Sequence, residues 1–452
     1  MKTPVVTVVG GGLAGCEAAW QLAAAGLAVR LVEMRPGVAT PAHRTGELAE
    51  LVCSNSFRSD NPSNAVGLLK REMELLGSLV MSAARRAALP AGDALAVDRA
   101  GFSAHISEAI GGCSRIAVER WEVKELPPGP VILATGPLTS PALHAHLEGV
   151  LGEGSLSFFD AIAPVVAADS LNMERLYWAS RYGKGGGADY LNAPLSRDQY
   201  ERFVAALLAA PRVAASQADR EVPFFEGCLP VEVMAERGAD TLRWGPMKPV
   251  GLPDPRTGRI PYAVVQLRRD DLAAEHFNLV GFQTRLTFAA QKELFKLIPG
   301  LENARFVRLG SVHRNTFLCA PRHLDAELRL RERPNVRVAG QLTGVEGYVE
   351  SAATGLLAGL FTAAELLGVR CPPLPRWTAH GGLVRHLTER PAEGFQPANA
   401  AWGLMEEPPV PLPRDRGRRR RMASEAALAA IRHWRAAVAL PPVAAGGGAA
   451  VG

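Results

Sequence analysis

The chain is poor in cysteine. It has six in 452 residues, at positions 16, 53, 113, 228, 319 and 371, and no two are spaced as Cys-x-x-Cys. With no histidine cluster beside them, that spacing indicates neither a disulfide framework nor a zinc site, rules out a redox disulfide of the Cys-x-x-Cys type, and leaves free thiols as the expectation. No apolar run approaches the roughly 20 residues that span a bilayer. Met1-Lys2-Thr3-Pro4 leads straight into a strand-like run and leaves no room for a signal peptide, so a cytoplasmic protein with no membrane partner is expected. There is no internal repeat at a solenoid period. A net charge of +5 is modest for this length and by itself selects no partner.

What the chain does have stands at its start. Thr7-Val8-Val9 is followed by Gly10-Gly11-Gly12-Leu13-Ala14-Gly15, an alanine-rich segment, and Val29-Arg30-Leu31-Val32-Glu33. Strand, glycine turn, helix and second strand ending in an acid form the dinucleotide-binding fingerprint. Gly10 permits the tight turn, Gly12 lets the backbone approach a pyrophosphate, Gly15 allows close helix-to-strand packing, and Glu33 accepts from a ribose hydroxyl. Gly11, Leu13 and Ala14 complete the turn, with the pyrophosphate expected on the helix N-terminus.

NAD and FAD folds share this fingerprint, and two later segments favour FAD. Val131-Ile132-Leu133-Ala134-Thr135-Gly136-Pro137 is an apolar run ending in the Ala-Thr-Gly turn typical of flavoproteins. Val336-Arg337-Val338-Ala339-Gly340-Gln341, followed by Gly344-Val345-Glu346-Gly347-Tyr348, looks like the final flavin-binding strand and helix start. A helix beginning there offers backbone N–H groups and a positive dipole end to an anionic reduced flavin. No second glycine fingerprint for NAD(P)H occurs, which argues against a pyridine-nucleotide-disulfide oxidoreductase.

The expected fold class is α/β, a Rossmann-like FAD-binding domain interrupted by an inserted α+β domain, with a helical C-terminal segment. Residues 1–165 and 305–370 are assigned to the FAD-binding domain, with a helix over Gly67 to Leu79. Residues 166–304 form the insertion, where prolines, aromatics and turn clusters are denser. A helix is expected there over Leu195 to Leu208, and a strand over Tyr262 to Leu267. Residues 371–440 form a helical and basic C-terminal segment, opened by prolines at 372, 373 and 375. Residues 441–452 read as a disordered tail of Pro, Ala and Gly. The run Arg418-Arg419-Arg420-Arg421 is either a phosphate-tracking patch or a solvated helix face.

Six longer segments resemble the folate- and FAD-dependent tRNA (uracil-5-)-methyltransferase family. They are Thr45 to Phe57, Phe225 to Glu232, Trp244 to Leu252, Val280 to Thr284, His313 to Thr316 and Gly340 to Tyr348, and the similarity runs from residue 5 to about 435. The FAD-dependent enzyme that carboxymethylaminomethylates the wobble uridine shares the general flavin pattern but is longer and lacks the context of Cys228. The resemblance implies that 5,10-methylenetetrahydrofolate supplies the carbon, that NAD(P)H supplies electrons through FAD, and that uridine 54 in the T loop of tRNA becomes ribothymidine. Two alternatives stay open: the same chemistry on a ribosomal RNA uridine, or a flavin-bearing RNA-binding protein without turnover.

Within that resemblance two thiols gain roles. Uracil C5 is a poor nucleophile until a group adds at C6, and a thiolate is the natural adduct former. Cys228, in its Gly-Cys-Leu-Pro turn, is the candidate nucleophile. Cys53, before polar Ser54-Asn55-Ser56, is assigned acid/base work at C5 or shielding of the flavin. Cys16, Cys113, Cys319 and Cys371 remain small hydrophobes. Tyr348 stacks on flavin or folate, or simply packs. His313 and Arg314 meet phosphate or a folate carboxylate, or form a loop ion pair.

Overall fold

The computed structural model describes residues 4–40, 42–152, 156–213 and 229–440, the side chains of 156–162 and 312–314 excepted. Two sheets organise the chain. The first is parallel and five-stranded, in the order Val336–Val338, Val131–Leu133, Val6–Val9, Val29–Val32, Ile116–Glu119. Its central strand, Val6–Val9, is buried at every position, the pattern of a parallel strand covered on both faces. Strands from residues 131 and 336 join those from residues 6 and 29, so the chain leaves this unit and returns to complete it.

The excursion builds the second sheet, which is antiparallel and six-stranded: Tyr177–Trp178, Tyr190–Leu195, Ala263–Arg269, His276–Leu279, Val165–Ala167, Phe306–Arg308. Its strands alternate cleanly. Leu191, Leu267 and Leu279 enter a separate apolar core with Phe203, Phe282 and Phe295. Asn192, Gln266, Arg268 and Asn278 sit at the alternate positions, on the opposite face. A two-stranded ribbon, Leu156–Ile162 paired with Ser311–Phe317, links the two units. The return to the first unit therefore falls at this ribbon, a few residues beyond 305.

Local boundaries differ from the sequence reading where a cap or glycine intervenes. The segment from Gly67 to Leu79 is not one helix: Ala65–Leu75 ends, Gly77 takes φ +79°, and Leu79–Arg86 starts on a Ser78 cap. The helix expected from Leu195 begins at Arg197, because Leu195 closes a strand and Ser196 forms a capping box with Gln199. The strand expected over 262–267 runs Ala263–Arg269. The basic run lies on the helix Arg416–Ala437, whose Ala423, Ala427, Ile431 and Trp434 are buried at helical spacing. The tail from 441 lies outside the described residues.

Close packing of two helices closes the first unit. The fingerprint helix, Leu13–Ala24, lies against the closing helix, Tyr348–Leu366, along Gly355 and Gly359. A Cβ on Gly355 would fall 2.2 Å from the carbonyl oxygen of Ala14, and one on Gly359 2.8 Å from that of Ala18. Backbone cannot yield as a side chain can. Gly355→Leu gains about 1 kcal/mol of helix propensity but must prise the helices apart. A net loss of about 2 kcal/mol in urea unfolding is expected from overpacking, together with weaker flavin retention. Stability unchanged within error would show that the pair is not tightly seated.

Candidate flavin cleft and thiol loop

The glycine turn and the closing helix meet at a cleft whose empty volume, open solvent at its mouth included, is about 1020 Å³. Gly10, Gly12, Leu13 and Ala14 form one wall, Gly136 and Ser140 another, and Gly340, Gln341, Tyr348 and Ser351 a third. Each fingerprint glycine has its own steric reason. Gly10 has φ +105°, and a Cβ there would strike Ala134 O at 2.4 Å; a Cβ on Gly15 would lie 1.8 Å from Gly10 O. Gly12 differs: its backbone is extended and a Cβ would meet no protein atom within 4 Å, so its missing side chain leaves space in the cleft. Gly340 has φ +76°, and its Cβ site is 2.9 Å from that of Ala14, which brings the two helix starts together.

Glu33 lines the cleft, but its main partners are in the protein. One oxygen accepts from Gly11 N at 2.7 Å, and the other from the Arg35 backbone N and Nε, each at 2.9 Å. Burial alone would raise its pKa. The hydrogen bonds and charge of Arg35, with the Gly11 N–H, outweigh burial and hold the carboxyl below its usual range. Three of roughly four acceptor positions are used, which leaves one for a ribose hydroxyl. Arg35, buried between Glu33 and Glu50, was missed in the sequence; its signal was its place two residues beyond the fingerprint acid. Gln341 donates to Glu346, fixing its amide at the cleft wall.

Tyr348 performs two tasks at once. Its ring lines the cleft and packs on Phe57 at 5.8 Å between centroids. Its hydroxyl oxygen accepts from Cys53 N at 2.8 Å and Ser54 N at 3.2 Å. Burial raises the phenol well above its ordinary range, so it remains protonated. On the opposite side of the same loop stand arginines. Arg308 donates to Val52 O at 2.8 Å and Cys53 O at 3.1 Å, Arg99 to Leu51 O and Cys53 O, and Arg268 to Ser54 Oγ and Asn55 Oδ1, each at 2.8 Å. Asp270 pairs with Arg99 at 3.0 Å. Burial and the neighbouring Arg99 push Arg308 down to about 10, still cationic at neutral pH. Burial also lowers Arg268.

The remaining candidates separate. Cys228 lies outside the described residues, although its C-terminal flank is firmly anchored. There Val231 N donates to Gln283 O at 2.7 Å, and buried Glu232 accepts from Thr284 Oγ1 and Arg285 N, each at 2.8 Å. Two of the sequence segments singled out above thus fold against each other. Cys16 is buried, donates to Gly11 O at 3.3 Å, and is raised by burial out of reactive range. Cys371 is pushed up to about 11 by burial. His313 and Arg314 lie on the linking ribbon, opposite Asp160 and Phe159. Among the described residues no His, Cys, Asp or Glu group is arranged to hold a metal.

Known proteins share this organisation. A family model described as glucose inhibited division protein A matches residues 5–370. Two similar curated proteins bear the name methylenetetrahydrofolate–tRNA-(uracil-5-)-methyltransferase TrmFO. That of Geobacter sulfurreducens is 55% identical over 96% of this chain and 100% of its own. That of Rhizorhabdus wittichii is 54% identical over 95% of this chain and 97% of its own. Among solved structures, Aquifex aeolicus GidA superposes with a TM-score of 0.68 at 14% identity, covering 95% of this chain and 73% of that one, a likeness of fold.

Proposed function

Because the chain belongs to the methylenetetrahydrofolate–tRNA-(uracil-5-)-methyltransferase family, we propose that it methylates C5 of uridine 54 in the T loop of tRNA. The methylene comes from 5,10-methylenetetrahydrofolate and the electrons from NAD(P)H through FAD. With tRNA as substrate, its place is the cytoplasm. The observation that carries this reading is the flavin-type cleft whose wall residue, Tyr348, also holds a thiol loop.

The residues fit the cofactor. Gly12, Leu13 and Ala14 stand at a helix start where backbone N–H groups receive a pyrophosphate. Glu33 has one acceptor position for ribose, and Gly340, Gln341 and Tyr348 form the wall at the second helix start. When bound, FAD supplies the two electrons by which a transferred methylene becomes a methyl group. The protein's own work is positioning, nucleophilic addition and proton transfer. Cys228 adds to uracil C6 and delivers charge to C5, while Cys53, next in the chain to Val52 of the cleft wall, takes the C5 proton or keeps water away.

Incubation with methylenetetrahydrofolate, NADPH and unmodified tRNA, followed by nucleoside analysis, tests the reading. Ribothymidine at position 54 is expected. Ribothymidine formed only in ribosomal RNA would replace the substrate, and none in either RNA would leave a flavin-bearing RNA-binding protein.

The C-terminal basic helix contributes to RNA binding. Arg418 and Arg421 are exposed, whereas Arg419 is paired with Glu407. Replacing Arg418 to Arg421 by glutamine should weaken tRNA binding. It should also reduce the salt slope, log K against log salt, by about 2, near 0.9 for each exposed cation that meets a duplex phosphate. An unchanged slope would make the run solvated surface.

A further inference from the structure

The loop that carries Cys53 is gripped by its peptide groups, and the two kinds of group face opposite ways. The carbonyls of Leu51, Val52 and Cys53 all receive arginine donors, while the amides of Cys53 and Ser54 donate to one oxygen, that of Tyr348. A peptide held by its carbonyl on one side and its amide on the other cannot rotate about the chain axis, and the direction of the Cys53 side chain is thereby set. The two sides belong to different units. Tyr348 opens the closing helix of the flavin unit, whereas Arg308 lies on Phe306–Arg308, the edge strand of the antiparallel sheet. Arg268, from the same sheet, continues the grip at Ser54 and Asn55, and the Arg269 carbonyl accepts from Asn55 Nδ2 at 2.9 Å. The charged and titratable groups around the loop are Arg99 and its partner Asp270, Arg268, Arg308 and Tyr348.

We propose that Arg308 is a positioning residue for Cys53: it holds the thiol loop at the flavin cleft from the inserted sheet, so that the thiol stands in working position only while the two units are docked. This rests on the functional reading above, in which Cys53 acts at the flavin cleft. Arg308 itself touches no reacting atom. Its two charge-assisted hydrogen bonds to adjacent carbonyls supply the restraint, and a bidentate guanidinium supplies what a lysine cannot.

The test compares Arg308→Gln and Arg308→Lys holoenzyme with wild type. In Arg308→Gln, kcat for ribothymidine formation should fall by about 10²-fold, the scale of a misplacement near 1 Å. KM for tRNA and flavin content should stay unchanged, and the protein should remain folded at the assay temperature. Alkylation of Cys53 by iodoacetamide, read by peptide mass spectrometry, should be about tenfold faster once the restraint of two charge-assisted bonds is gone. Lysine, able to reach one carbonyl, should recover part of kcat. An unchanged alkylation rate, or a fall in kcat that only tracks lost flavin or lost folded protein, overturns the proposal. Alkylation needs no turnover, so it still decides the matter if the wild type makes no ribothymidine and the functional reading fails. Should Arg308→Gln not fold, Arg308→Lys and Tyr348→Phe carry the same measurement. Tyr348→Phe removes the acceptor on the other side, and there too faster alkylation supports the grip and an unchanged rate overturns it.

Discussion

Cys228→Ser protein is expected to be folded and yellow, and unable to trap RNA that contains 5-fluorouracil in place of uracil. Addition at C6 must precede any reaction at C5, and the fluorine blocks the later loss of the C5 substituent, so a thiol that adds is left covalently attached. A serine hydroxyl is far less nucleophilic at neutral pH than a cysteine, whose ordinary pKa of about 8.5 already leaves some thiolate. Ribothymidine formation should drop by at least about 10³-fold, in the range that loss of an essential nucleophile costs other enzymes. Cys53→Ser should behave differently. It should still form the adduct, because its thiol is assigned a later step, and should make little product. Equal trapping by wild type and Cys228→Ser would overturn the assignment and move Cys53 to first candidate. The anchoring of Val231 and Glu232 against Gln283 and Thr284 makes a folding failure from this substitution unexpected, since those contacts involve neither thiol.

The parts of the site that were legible in the sequence are those whose requirements are local. Gly15 is demanded by the Gly10 carbonyl within its own strand–turn–helix unit and Gly10 by its own φ of +105°, so spacing alone revealed them, although the atoms that close the Gly10 Cβ site belong to Ala134, far along the chain. The return of the chain at Val336 was readable for the same reason, as an apolar strand followed by a glycine turn. The arginines were not readable. Arg99, Arg268 and Arg308 reach one loop from positions 46 to 255 residues away from Cys53, and an arginine in a strand or at a helix start carries no periodic signal of what it will meet. Glu33 shows the intermediate case. Its position was fixed by the fingerprint, yet its actual partners, Gly11 and Arg35, emerged only from the packed turn. The error over Gly67 to Leu79 has a comparable origin: the apolar period continues through the segment, and only the left-handed Gly77 and the Ser78 cap reveal the break. Tyr348 was placed correctly at the helix start. Its second task, accepting from the Cys53 loop nearly 300 residues away, is a property of the fold.

Gly12→Glu should give a folded but colourless protein. The backbone at Gly12 is extended, φ −78° and ψ −171°, a conformation open to any residue, and a Cβ there meets no protein atom within 4 Å. The substitution therefore introduces no strain in the protein itself. Its side chain must instead enter the cleft at the helix start, where the pyrophosphate of a dinucleotide is received, and it brings a negative charge with it. Two like charges about 4 Å apart repel by roughly 4 kcal/mol at an effective dielectric constant near 20, which is about three orders of magnitude in affinity. Steric exclusion acts in the same direction. The control is Gly111→Glu, the same chemistry at an exposed helix position whose Cβ site is equally empty, and it should purify with full flavin. The measurement is the ratio of flavin to protein absorbance after purification, followed by titration of the apoprotein with FAD. A Gly12→Glu protein that kept stoichiometric flavin would mean that the pyrophosphate does not pass the glycine turn, and the cofactor site would have to be sought elsewhere than in the cleft between the two helix starts.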